Sequence, residues 1–227
     1  MGKKDASARG VVVIGLGRFG GQVAESLTEL GHEVLGIDEN AEIVQKLADT
    51  LTHVVEADST DEEALRQIGV AEFNRAVVGI GTDIEASVLT VLALTELGVE
   101  EIWAKAISVK HARILERVGA RHVVLPEADM GARVAHLVTG KLLDFIELDD
   151  GYAIAKVCPP DEFAGSTLAQ LGLRSRHGIT VVAVKRPGTE AETAVPETVI
   201  GSGDMLIVSG PTEKVERLGE QGGFARS

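Results

Sequence analysis

Val11-Val12-Val13-Ile14 runs directly into Gly15-Leu16-Gly17-Arg18-Phe19-Gly20, and the reading of this stretch decides the fold. The residues that follow, to Leu30, have the apolar spacing of a helix, and Gly31 closes it. A second apolar run, Glu33–Asp38, ends on an acid 18 residues after Gly20. Strand, glycine loop, helix and distal acid in that order are the context that gives a GxGxxG segment its meaning. Each glycine has a separate task. Gly15 permits the tight turn, Gly17 lets the backbone approach a phosphate, and Gly20 lets the helix pack close to the sheet. The helix start offers free N–H groups and a partial positive charge to an anion. Asp38 is placed to accept hydrogen bonds from two ribose hydroxyls, and it would repel a 2′-phosphate.

Outward from this stretch the pattern alternates. Strands are expected at His53–Ala57, Arg75–Ile80, Glu101–Ile107 and Arg121–Leu125, with helices at Ala41–Leu51, Asp61–Ile68, Ile84–Leu97 and Val109–Val118. Val/Ile runs with little polar alternation are what strands buried on both faces look like. Strand and helix in strict turn imply a parallel sheet with crossover helices. Residues 10–127 are therefore expected to form an α/β, Rossmann-like domain. After Pro126 the rhythm changes. Residues 128–147 read as one crossover helix, Ala128–Ile146, with Met130, Val134, Leu137 and Phe145 on one side and Ala132, Ala135, Leu142 and Ile146 on another. Two apolar stripes suit a helix packed on two sides, by its own domain and a second subunit, or one bridging two domains. Residues 148–220 read as a small α+β domain. Its expected strands are Tyr152–Val157, Gly178–Lys185 and Asp204–Ser209; its helices are Thr167–Arg174 and Thr212–Leu218, and Pro187–Thr193 is a polar turn region. Residues 1–9 and 221–227 are expected to be flexible tails.

Composition narrows the function classes. Among 227 residues, 22 are Lys or Arg and 35 Asp or Glu, for a net charge of −13. Of this, −10 lies in residues 1–147. No basic surface of the kind that neutralises nucleic-acid phosphates is available. Aromatics are 3%, too few for stacking platforms. Anion recognition in the first domain must then come from local backbone geometry. Cys158 is the single cysteine, which excludes an intrachain disulfide and suits a reducing compartment. No apolar run approaches the ~20 residues of a membrane-spanning helix. The expected location is cytoplasmic, with membrane association only through a partner.

Further candidates line up on the rim where parallel strands end. Arg18 suits a charge-assisted contact to phosphate, or is a surface arginine. Phe19 suits packing beside the loop. Asp58, in Ala57-Asp58-Ser59-Thr60, fits a contact to an adenine amino group or the N-cap of the next helix, a task Ser59 or Thr60 could also take. Gly81 and Thr82 follow the fourth strand on the same rim, with Asp83 read as an N-cap. Lys105 is the one basic side chain in an apolar strand, and it reaches the crevice or snorkels at the sheet edge. No histidine stands at a catalytic spacing; His32, His53, His111 and His122 read as surface residues at element ends. No metal-ligand spacing is present. An NAD-dependent oxidoreductase is the alternative reading, and it lacks an evident general acid or base and a substrate domain of adequate size.

These residues resemble the regulatory subunits of Ktr/Trk-type potassium-uptake systems, built on the RCK (regulator of K⁺ conductance) module. The likeness runs through GLGRFG (15–20), Asp38, IGTDIEAS (80–87), LTELGV (94–99), PEADMGARVA (126–135), GITVVAVKR (178–186) and GSGDMLIVSG (201–210). It implies a nucleotide-binding N-terminal domain, a crossover helix for dimerisation and a small TrkA_C-like C-terminal domain. It implies a homo-oligomer, an octameric ring, docked on the cytosolic face of a membrane potassium channel or transporter. It implies regulation by an adenine nucleotide (ATP, ADP, NAD or NADH). By motif position Arg18 would contact terminal phosphates, and Glu127 would help hold Mg²⁺ or Ca²⁺ beside them; Glu127 also suits a first-turn acid favouring the helix dipole. A regulator of a cation/proton antiporter would share every motif named.

Overall fold

The structure is a computed structural model that describes residues 10–138, 142–148 and 151–222. The chain divides into two compact units, residues 1–127 and 128–227.

The first unit alternates strand and helix as expected. Its elements are β1 (Gly10–Ile14), α1 (Arg18–Glu29), β2 (Glu33–Asp38), α2 (Ala41–Leu47), β3 (His53–Glu56), α3 (Glu62–Ile68), β4 (Arg75–Val78), α4 (Ile84–Glu96), β5 (Glu101–Lys105), α5 (Val109–Val118) and β6 (His122–Val124). The six strands form one parallel sheet in the order β3-β2-β1-β4-β5-β6. The order reverses at β1, so the ends of β1 and β4 flank the crevice where ligands of such sheets bind. All five residues of β1 are buried. Val12 and Ile14 pack with Ala76, Val78, Ile102, Leu94 and Leu115 on one face, while Val11 and Val13 pack with Ala24, Val34 and Leu47 on the other. Helix ends obey local chemistry. Asn40, Asp61, Asp83 and Ser108 cap α2, α3, α4 and α5. Asp83 is thus the N-cap expected of it. Asp61, not Asp58, Ser59 or Thr60, caps α3.

The segment after β6 departs from expectation. A helix, α6 (Pro126–Val138), is followed not by more helix but by a strand, β7 (Asp144–Leu148). The expected helix over 128–147 is corrected accordingly, with residues 139–141 outside the described part. Pairing explains the change: β7 runs antiparallel to β8 (Tyr152–Val157), with Phe145 opposite Ala155 and Ile146 opposite Ile154. Phe145 and Leu142 turn into the second core with Val157, Leu206 and Val215, and Arg133 of α6 pairs with Asp144. Leu-Asp-Phe-Ile-Glu-Leu satisfies a period of two as well as a helical period, and only the partner strand decides. On α6, Met130, Val134, Ala132 and Ala135 are all exposed within the single chain.

The second unit contains a five-stranded sheet in the order β10-β9-β11-β8-β7, all antiparallel, from β9 (Thr180–Lys185), β10 (Ala191–Thr193) and β11 (Met205–Pro211). The expected polar turn region thus holds a short edge strand. Helix α7 (Leu168–Leu171) is followed by a π-helical turn, Leu173–His177, and α8 (Thr212–Gln221) closes the unit. Gln221 therefore belongs to a helix, and the other expected tail residues lie outside the described part, except Gly222. Among the described residues no helix is long and apolar enough to cross a membrane.

Candidate functional site

A cleft of about 680 Å³ opens at the C-terminal ends of β1, β2 and β4. Gly15, Gly17, Arg18 and Phe19 line it from the glycine loop; Asp38 and Asp58 from the strand ends beside it; Ser59, Gly81, Thr82, Lys105 and Glu127 complete the wall. Eleven of the twelve residues singled out in the sequence thus meet at one cavity. The twelfth, Gly20, lies behind the loop. A Cβ there would stand 1.9 Å from the Gly15 carbonyl oxygen. Gly20 serves helix–sheet packing, as its position in the motif requires.

Gly17 is the opposite case. It caps α1, and a Cβ on it would meet no protein atom within 4 Å. Nothing in the chain's own packing demands glycine there; the space it spares belongs to the cleft. Helix α1 has no side-chain cap and no acid in its first turn. Its leading N–H groups and its dipole are left to act on an anion. Gly15 adopts φ +79°, and its Cβ would crowd Ile80. Gly79, which the sequence reading missed, lets β4 pass close to the loop: a Cβ there would stand 2.7 Å from the Gly15 carbonyl oxygen.

The carboxylates are committed to shaping the rim. Asp38 accepts the Leu16 N–H at 2.6 Å and the Asn40 N–H at 2.9 Å. Asp58 accepts the Thr60 N–H at 2.9 Å and its hydroxyl at 2.7 Å, which hold its carboxyl below the usual range. Ser59 is buried and shares a hydrogen bond with the Thr90 hydroxyl at 2.8 Å, so its side chain braces α4. Asn40, Ile43, Ile80 and Ile107 also line the cleft and were not singled out. Asn40 stands two residues after Asp38 in the same strand-to-helix turn; the isoleucines carry no distinguishing signal.

Lys105 reaches the crevice rather than snorkelling. Its side chain is 13% exposed, its Nζ lies 2.6 Å from Glu127 Oε1, and the same Nζ stands 5.6 Å from the centre of the Phe19 ring. A Cβ on Gly81 would come within 3.1 Å of that Nζ, so Gly81 makes room for it. The Lys105 hydrogen bond holds the Glu127 carboxyl below its ordinary value, and the Arg18 charge adds to the effect. Glu127 is thus already engaged by a cation of its own chain. Among the described residues no cluster of three or more His, Cys, Asp or Glu is placed to hold a metal ion. His111, read as a surface residue, is 1% exposed. His122 stacks on Trp103, ring centres 4.1 Å apart, and faces Glu101.

Residues 11–126 match the TrkA-N domain family and residues 153–221 the TrkA-C domain family. The chain belongs to the Ktr/TrkA family. The Ktr system potassium uptake protein C of Bacillus subtilis (strain 168) is 40% identical over 207 residues, 91% of this chain and 94% of that one. The Ktr system potassium uptake protein A of Vibrio alginolyticus is 35% identical over 204 residues, 89% and 93% of the two chains. Among solved structures, the GsuK RCK domain aligns with a TM-score of 0.64 at 22% identity over 96% of this chain; this chain spans 48% of that one. The fold of this Ktr/TrkA-family chain is therefore that of the RCK domain.

Proposed function

We propose that the chain is the nucleotide-sensing regulatory subunit of a potassium uptake system, not an enzyme. Its Ktr relatives are named for potassium uptake and align over nearly their whole length. The observation that carries the nucleotide reading is the pairing of Gly17 with Asp38 in one cleft. A spared Cβ and a free helix N-terminus suit phosphates, and a strand-end carboxylate suits ribose. These residues fit an adenine nucleotide, and the GsuK channel, of the same fold, is described as bound to NAD. The phosphates would lie against the start of α1 with Arg18 and Lys105 near them, and the ribose against Asp38. Glu127 would supply a carboxylate toward a divalent cation only after giving up Lys105. Glu127 is the second residue of α6, so the Lys105–Glu127 pair holds the first turn of that helix at the cleft.

Self-assembly has its own support. Met130, Val134 and Val138 follow each other at helical spacing on α6 and are 53%, 44% and 79% exposed. A groove of about 300 Å³ beside Trp103, Val77 and Val124 lies on the sheet face left open next to α1. These surfaces suit a homodimer through α6 and a larger ring of dimers, docked on a membrane subunit at the cytoplasmic face. The test is scattering and sedimentation of the chain with ADP and with ATP. Distinct oligomer shapes are expected; one monomeric profile with both nucleotides would overturn the proposal.

A further inference from the structure

His111 occupies an unusual place for an imidazole. It stands in the first turn of α5, is 1% exposed, and its Nε2 has no hydrogen-bond partner. Its Nδ1 accepts the Ile107 N–H at 3.4 Å, and its own N–H donates to the Ser108 hydroxyl at 3.2 Å. The segment it holds is the wall of the cleft. Lys105 and Ile107 both line the cavity, and Ala106 between them donates to the Val124 carbonyl at 2.8 Å. These bonds, with the Ala112 N–H to the Ser108 carbonyl at 2.9 Å, hold the turn from β5 into α5, and the one made by the cleft's Ile107 needs an imidazole that is unprotonated at Nδ1.

We infer that His111 is a positioning residue for the nucleotide cleft: its neutral imidazole pins Ile107, and with it the Lys105 wall, and its protonation releases that wall. The inference rests on the nucleotide reading above. A protonated ring loses the Nδ1 lone pair, so the Ile107 N–H loses its acceptor. The charge would also sit in an apolar core at the positive end of a helix, which disfavours it twice. Burial accordingly holds the imidazole below its ordinary value. The packed elements offer no opposing charge. On α4 the buried residues are Ser87, Thr90, Val91, Ala93 and Leu94, none of them charged, while Glu85 and Glu96 are exposed. On α5 itself Lys110, Arg113, Glu116 and Arg117 are exposed. On β5 Lys105 is committed to Glu127 and Glu101 to Arg121, and on β6 His122 faces Glu101. Acidification therefore breaks the bond to Ile107.

The test uses the full chain and NAD, whose phosphates keep their charge across the range. Three proteins are compared at about pH 7.5 and about pH 5: wild type, His111→Asn, whose Oδ1 replaces the Nδ1 acceptor without titrating, and His111→Leu. Hydrogen exchange of segment 105–111, corrected for its intrinsic pH dependence, is read in parallel without ligand. Wild type should lose protection on acidification, and its NAD affinity should fall by roughly tenfold per pH unit below the imidazole's titration point. His111→Asn should show neither change, and His111→Leu should be weak and unprotected at both values. If wild type and His111→Asn share one pH profile in exchange, the inference is wrong. If exchange titrates as stated but wild type binds no NAD at about pH 7.5, the positioning role stands and the reading of NAD at this cleft fails.

Discussion

The carboxylate of Asp38 accepts the Leu16 N–H at 2.6 Å, so the residue we propose to read ribose also holds the glycine loop in shape. The loop and the acid lie 22 residues apart in sequence and meet through the pairing of β1 with β2, Ile14 opposite Ile37. Under the proposed function, loop geometry and ligand recognition are coupled in one side chain. Asp38→Ala should destabilise the nucleotide-free chain by about 1.5–3 kcal/mol, the range for losing a hydrogen bond to a charged group. It should also abolish the stabilisation by added nucleotide. Urea unfolding with and without ADP checks both. An unchanged midpoint without ADP would show that the Leu16 bond contributes nothing to the loop.

Gly17 and Gly20 should separate function from folding. Gly17→Ala meets no protein atom and should leave stability within about 0.5 kcal/mol, or raise it through the loss of unfolded-state freedom. Its methyl enters the cleft, so nucleotide binding should be lost. Gly20→Ala drives a methyl into the Gly15 carbonyl and should cost about 3 kcal/mol or prevent folding. Calorimetry of both variants with NAD decides the point; equal losses of stability would contradict the assignment of Gly17 to the ligand.

How much of this was legible beforehand follows from what each feature depends on. Gly15, Gly17, Gly20 and Asp38 obey backbone requirements set within one βαβ unit, so their spacing sufficed. The strand at Asp144–Leu148 depends on β8 as a partner, and no local pattern separates it from the end of a helix. The burial of His111 depends on how α4 lies on α5, and Ser59 spends its hydroxyl on Thr90, 31 residues away. Contacts of that range leave no local signature in the sequence.

Lys105→Met should act on the cleft without unfolding the unit. The methionine fills the space of the half-buried stem, while the Nζ contact to Glu127 disappears. Glu127 should then titrate closer to an ordinary carboxyl. In the wild type its folded-state value is depressed, so the pair's contribution is in place above about pH 4.5 and is lost as pH falls through the folded value. Near neutrality stability should not vary with pH on this account. Carboxyl-labelled NMR of Glu127 checks the shift, and ATP affinity should fall more than NAD affinity if Lys105 serves the terminal phosphates. Equal falls would place it at the shared part of the two ligands.

The exposed stripe of α6 supplies the last prediction. Val134 sits between Met130 and Val138 on one side of the helix, and Trp103, the only tryptophan, is 44% exposed on the open sheet face. A monomer would leave both in water. Burying a valine side chain contributes about 1.5 kcal/mol or more per copy, and replacing it by a charge adds a desolvation penalty. Val134→Glu should therefore shift the assembly toward monomer at concentrations where the wild type is associated, with the fold of each unit intact. Sedimentation velocity measures the mass, and circular dichroism confirms the fold. Trp103 emission should shift to the blue when the wild type assembles if its groove is covered in the same step. A blue shift that persists in the monomeric variant would separate Trp103 from the α6 interface, and an unchanged mass would remove Val134 from it.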